Sequence, residues 1–101
     1  MSEGGYAWEK LHTAVLILAQ GTGSLRERLE DAYSSSLMRL RPDHHFPWPD
    51  LRQRYIDLAE EIAPAGNFRT ALATWPEHDL QRIVEGLVSV YDAVARRVGD
   101  R

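Results

Sequence analysis

The chain has 101 residues, 44% of them hydrophobic and 27% charged. That balance suits one folded domain around one core and is too apolar for disorder. The formal net charge is −3 and cysteine is absent, which excludes a molecule-wide field that gathers nucleic acid, and also disulfides, thiolate nucleophiles and thiolate metal sites. The opening Met-Ser-Glu-Gly-Gly lacks the basic-then-apolar order of a signal peptide. The longest apolar run, Ala14 to Ala19, falls far below the ~20 residues of a membrane span. A cytoplasmic protein of one domain, residues 1–101 with a flexible leader at 1–5, is expected.

From Tyr6 to Gln20, Trp8, Leu11, Val15 and Leu18 recur at helical spacing, with Ala7 and Ala14 beside them. Leu16 and Ile17 add apolar surface on the opposite side, so this helix reads as a central one covered by several neighbours. Gly21-Thr-Gly23 stops it.

Three starts resemble a capping box, in which a small polar residue precedes an acid or amide by three positions: Ser24/Glu27, Asp50/Gln53 and Thr74/Glu77. Ser24 opens a second helix whose stripe is Leu25, Leu29, Ala32, Tyr33, Ser36, Leu37 and Leu40, ended by Pro42. Residues 42–49 hold three prolines and are expected to be irregular. Asp50 would cap a third helix with Leu51, Tyr55, Leu58, Ala59 and Ile62 inward, ended by Pro64. Phe68 to Ala73 suits a short helix. Thr74 would then begin the longest helix, to about Val98, roughly 36 Å at ~1.5 Å per residue. The fold class is all-α, a compact bundle of four principal helices plus one short connecting helix, with the first and last helices as neighbours.

No residue set adds up to a reactive centre. Gly21-Thr-Gly-Ser24 has the look of an anion-holding helix start, but no lysine follows it and no strand precedes it. Adjacent His44 and His45 diverge and have no third or fourth ligand at metal-site spacing. Ser34-Ser35-Ser36 lies inside a helix rather than on the strained elbow of a nucleophile. Ser36, on the apolar stripe, can bond back to a carbonyl one turn earlier and reads best as a small residue that permits close helix approach. His12 reads as a half-buried, hydrogen-bonded side chain and His78 as solvent-facing. Glu30-Asp31 and Glu60-Glu61 read as solvated faces. No enzyme activity, cofactor or metal is expected.

Segment 39–54 carries the recognition chemistry. Arg39, Arg41, His44, His45, Phe46, Trp48 and Arg52 flank a proline-stiffened turn, and Trp and Arg dominate interface energetics. Phe46 and Trp48 either project toward a protein partner or fold back as a lid on the core. Trp75 and Phe68 should close the other end of the core, and Tyr33, Tyr55 and Tyr91 should set their hydroxyls at its margin. The function expected is a small non-catalytic protein-interaction module, self-associating as a homodimer through the long C-terminal helix if that helix's apolar surface exceeds its cover. The alternative is a nucleic-acid-binding accessory protein that uses the same arginines and aromatics.

Overall fold

Six α-helices and two 3-10 turns follow one another, with no strand, in residues 4–99, the residues that the computed structural model describes. The chain is an all-α helical bundle. In order the helices are α1 (Gly5–Gln20), α2 (Leu25–Ser35), α3 (Pro42–His45), α4 (Pro49–Ile62), α5 (Phe68–Thr74) and α6 (Leu80–Gly99). Helices α1, α2, α4 and α6 are the principal rods. Met1–Glu3 of the expected leader lie outside the described residues. Gly4 does not behave as leader: it is buried, has φ 85°, and a Cβ there would overlap the Trp48 ring.

Only the first of the three anticipated capping boxes forms. Ser24 Oγ accepts from the Glu27 N–H at 3.1 Å and Glu27 Oε1 accepts from the Ser24 N–H at 2.9 Å. These bonds hold the Glu27 carboxyl below its ordinary range. Asp50 is not a cap, because Pro49 already occupies the first position of α4, where its missing N–H costs nothing. Asp50 instead pairs with Arg97 at the far end of α6, and that contact lowers its carboxyl pKa.

Thr74 ends α5 rather than starting α6, and its Oγ donates to Ala71 O at 2.9 Å. Pro76 drives Trp75 to extended backbone, with ψ 136°. A 3-10 turn at Glu77–Asp79 then leads into α6. That helix is therefore 20 residues long, about 30 Å, and fits inside a molecule 39 Å in its longest dimension. Asn67 is a true cap that the three-residue pattern does not flag; its Oδ1 accepts from the Thr70 N–H at 3.0 Å.

Helix α2 also stops sooner than its apolar stripe suggests. Ser36 turns away at φ −142° and ψ −61°, followed by a 3-10 turn at Leu37–Arg39. Its side chain is fully buried, and Oγ donates across the bundle to Lys10 O at 2.6 Å, not to its own helix. Pro42 then begins the one-turn α3, so the proline-rich segment is not wholly irregular. Its ring suits the first helical position.

The helices pack antiparallel along the chain. Arg28 of α2 meets the end of α1 while Ser36, past its other end, meets Lys10. Asp50 reaches Arg97, Arg54 reaches Ser89 and Glu61 reaches Arg82, so α4 runs opposite to α6. Gly86 lets these two rods close up, because a Cβ there would stand 2.7 Å from Leu58 Cδ1. Trp48 ties the start of α1 to the start of α4, and His12 meets Tyr91; α1 and α6 are antiparallel neighbours, as expected. The core joins Leu11, Leu29, Phe46, Ile62, Leu72, Leu80, Leu87 and Val94, each 2% exposed or less.

A short helix has four carbonyls without partners at its C-terminus. In four of the six helices a long side chain donates to that end, and in a fifth to the residue just past it. Arg28 Nη1 donates to Leu18 O of α1 at 2.6 Å and its Nε to Gly23 O at 3.1 Å. Arg39 donates to Ser35 O of α2, and Arg26 to Leu72 O of α5. Arg52 places Nε and Nη2 on Phe46 O beyond α3, at 3.1 and 3.0 Å. Trp75 Nε1 closes α4 through Ile62 O at 2.8 Å. Planar, multiply donating guanidinium suits this work better than ammonium, which gives a structural use for four of the eleven arginines, Arg26, Arg28, Arg39 and Arg52.

Two outcomes follow for stability. Arg28→Met should cost about 1–3 kcal/mol by leaving the part-buried Leu18 carbonyl without its donor, with Arg28→Lys recovering only part of it. Phe46→Ala should cost about 3–5 kcal/mol. Urea unfolding followed by far-UV circular dichroism measures both.

Candidate interaction site

Segment 39–54 divides into residues that hold the fold and residues that face solvent. Phe46 is 1% exposed and stacks on Tyr55, with ring centroids 5.2 Å apart. It is the lid of the core, so Phe46 is corrected from partner contact to core residue. Proline on each side of the Phe46–Trp48 unit limits how the chain can point it, and the core supplies the larger apolar contact. Trp48 is half-buried against Gly4. Arg52 is committed to Phe46 O, and Arg39 is exposed but has one N–H on Ser35 O.

The two histidines behave differently. His45 Nδ1 accepts the Arg41 N–H at 2.9 Å, closing the first turn of α3, and its ring lies 4.3 Å from that of Tyr6. His44 is exposed beside Asp43 at 3.6 Å. Their rings stand 6.4 Å apart and tilted by 56°. The segment therefore presents Arg41, His44, part of Arg39 and part of Trp48 to solvent. His45, Phe46 and Arg52 serve its shape.

The remaining sequence candidates have structural occupations. The Gly21–Ser24 turn wraps the Arg28 side chain, whose Cγ would stand 2.6 Å from a Cβ at position 21. His12 is half-buried, with Nδ1 2.9 Å from the Tyr91 hydroxyl and its ring stacked 4.7 Å from Trp8. Ser34 Oγ accepts from Arg69 at 3.0 Å. His78 is exposed next to Asp79. Trp75 carries Arg82 over its ring at 5.4 Å, and Phe68 stacks on Tyr33 at 4.4 Å. Tyr55 is 6% exposed, and burial pushes its ionisation well above the ordinary tyrosine value.

Two surfaces stand out that the sequence reading did not single out as sites. The first is the seam between α1 and α6. Leu16, expected under cover, is 39% exposed, and Val88 is 41% exposed. In an antiparallel pair registered by His12 against Tyr91, one turn onward along α1 and one turn back along α6 bring Leu16 and Val88 to the same level. Val84 and Val88 line a shallow trough on the outer side of α6 with Gln81, Glu85, Ser89 and Asp92. The available signal was the second apolar side of α1, which periodicity alone assigns to a buried neighbour.

The second surface is a groove at the far edge of α2, lined by Tyr33, Met38, Asn67, Phe68, Arg69 and Thr70 among others. Met38 is 53% exposed, more than any other large hydrophobic residue described. Past the break in α2 at Ser36, the 3-10 turn keeps Leu37 buried and sets Met38 outward.

Among the described residues, no helix is long and apolar enough to cross a membrane. Comparison with protein-family models, with curated proteins and with solved structures finds no match. The geometry of the surfaces is therefore what bears on function.

His45 gives one of these surfaces a pH dependence. Burial, then neighbouring His44 and Arg41, lowers its pKa from the ordinary 6.5, with Asp43 opposing. The folded chain prefers the neutral ring, so its contribution to stability is complete above the ordinary value and declines as pH falls through it toward the folded-state value. Protonation also removes the acceptor used by Arg41. Lys10, 5.1 Å from the Tyr6 ring centroid, adds a further nearby cation. Thermal melts between about pH 7.5 and pH 5 should show a steeper loss in the wild type than in His45→Asn, which keeps an acceptor but does not titrate.

Proposed function

We propose that the chain is a small non-catalytic protein-interaction module of the cytoplasm, a subunit, adaptor or regulator, that docks through the seam between α1 and α6. The observation that carries this reading is the exposure of Leu16 and Val88, which the His12–Tyr91 register brings to one level of that seam, with Trp8, Val84 and Tyr91 half-buried on the same two helices. Apolar side chains grouped on a polar surface lose water when a partner covers them. Self-association is one form this takes, but not through the inner face of α6. Val90 and Val94 are 3% and 0% exposed within the chain, so a second copy would meet Val84 and Val88 instead.

Nucleic-acid binding is the second reading, and one observation favours it. Arg39, Arg41 and Arg69 form no salt bridge with a carboxylate among the described residues, which leaves their charge available to phosphate.

Photo-crosslinking residues placed at Leu16 and at Val88 should give discrete protein adducts in native cells, and one placed at exposed Glu60 should not. Val88→Glu should abolish the adduct formed from Leu16 without lowering the melting temperature. Sedimentation over a concentration range identifies a second copy as the partner. A monomer at every concentration, together with no position-specific adduct, would remove the reading.

A further inference from the structure

The groove at the end of α2 combines three properties: open volume, an apolar wall and nearby cationic charge. It is open and sizeable, about 660 Å³ in volume, with Met38 standing out of it. Its wall is apolar where Tyr33 and Phe68 stack at 4.4 Å with their planes 4° apart. Arg69 lines the groove and reaches Ser34 Oγ at 3.0 Å. Arg39, next to Met38 in the chain, stands beside the groove rather than in its lining and reaches Ser35 O at 2.8 Å, so both guanidinium groups are held at the last residues of α2.

Neither arginine is neutralised by a carboxylate among the described residues. In contrast, Arg26, Arg82, Arg96 and Arg97 all have acidic partners. Glu30 and Asp31 lie about a turn back along α2 and pair with neither Arg39 nor Arg69. Each of these two arginines spends a single N–H on a neutral oxygen, and a guanidinium has five. Local cationic charge on a chain of net charge −3 is a focused feature rather than a by-product of a basic surface.

We infer that this groove binds an acidic segment of a partner protein that carries a bulky apolar residue. The apolar side chain would pack on Met38 and the edge of the Tyr33–Phe68 pair. Flanking carboxylates would take paired N–H donors from Arg39 and Arg69, the geometry in which arginine exceeds lysine. Met38 is flexible and polarizable, a side chain suited to adapting to an incoming hydrophobe.

A nucleic acid fits this surface less well. Tyr33 and Phe68 already occupy one face of each other's ring, and Met38 offers no π-face on which a base could stack. The groove is built from α2, the 3-10 turn after it, the turn before α5, and α5 itself; the α1–α6 seam contributes no residue to it. The inference is therefore independent of docking at the seam.

The test uses the full chain and a short fluorescein-labelled peptide in which aspartates flank a central Phe-Leu pair, read by fluorescence anisotropy. Saturable binding is expected, weakened about tenfold by Met38→Ala and about tenfold or more by Arg39→Ala with Arg69→Ala, in line with interface anchors. Leu16→Glu, at the seam, should leave it unchanged, and circular dichroism should show that each variant is folded. The same peptide with asparagine for aspartate should not bind. No saturable binding, equal binding of the asparagine peptide, or equal binding of a single-stranded oligothymidine of matched charge would each overturn the inference. So would a Leu16→Glu effect equal to that of the groove variants.

Discussion

Closing the C-terminal ends of short helices is the constraint on which this structure depends. A chain with six helices among its described residues 4–99 has many carbonyls with no acceptor role inside their own helix. Glycine in a left-handed turn is the common remedy, yet among the described residues only Gly4 and Gly66 have positive φ. Long donors from neighbouring elements act instead: Arg28 for α1, Arg52 beyond α3, Trp75 for α4 and Arg26 for α5. Each such bond crosses between elements, so satisfying a helix end also fixes how two elements sit. Positive charge at a helix C-terminus adds a favourable interaction with the helix dipole.

This use of arginine decides which residues remain for recognition. Arg52 is prominent in a basic and aromatic segment, but its guanidinium forks onto Phe46 O and holds that residue over the core. Arg97 is taken by Asp50. The surface that stays chemically open consists of what no helix end claims. It comprises the apolar seam around Leu16 and Val88, the exposed pair Arg41 and His44, and the groove where Arg39 and Arg69 have donors to spare. Met38 faces outward there because Ser36 commits its hydroxyl to Lys10 O and breaks the helix before it. A buried polar contact thus shapes an exposed surface, through backbone geometry rather than through charge.

Much of the architecture was legible in the residues. Helical spacing identified α1, α2, α4, α5 and α6 and placed Leu11, Leu29, Leu51, Ile62, Ile83 and Leu87 inside, where they are found. The Ser24/Glu27 box was legible because both partners are local and nothing outside the turn competes for them. The Asp50 and Thr74 boxes failed for the complementary reason. Pro49 offered α4 an earlier start and Arg97 a distant partner for Asp50, while Pro76 held Trp75 extended. Site residues were less legible. The choice between projection and lid for Phe46 depended on its stacking against Tyr55 inside the assembled core.

Periodicity and composition by themselves determined an all-α bundle, the inward stripe of each rod, and the absence of cysteine chemistry, because these depend on spacing within one helix or on residue type alone. Tertiary structure alone decided where α2 breaks, which arginines are consumed by carbonyls, and which of two apolar sides of α1 stays wet. Each of those outcomes is a competition between a local partner and one far away in sequence, such as Ser36 choosing Lys10 or Asp50 choosing Arg97. No pattern within a single helix contains the distance between such partners, so only the packed chain can settle it.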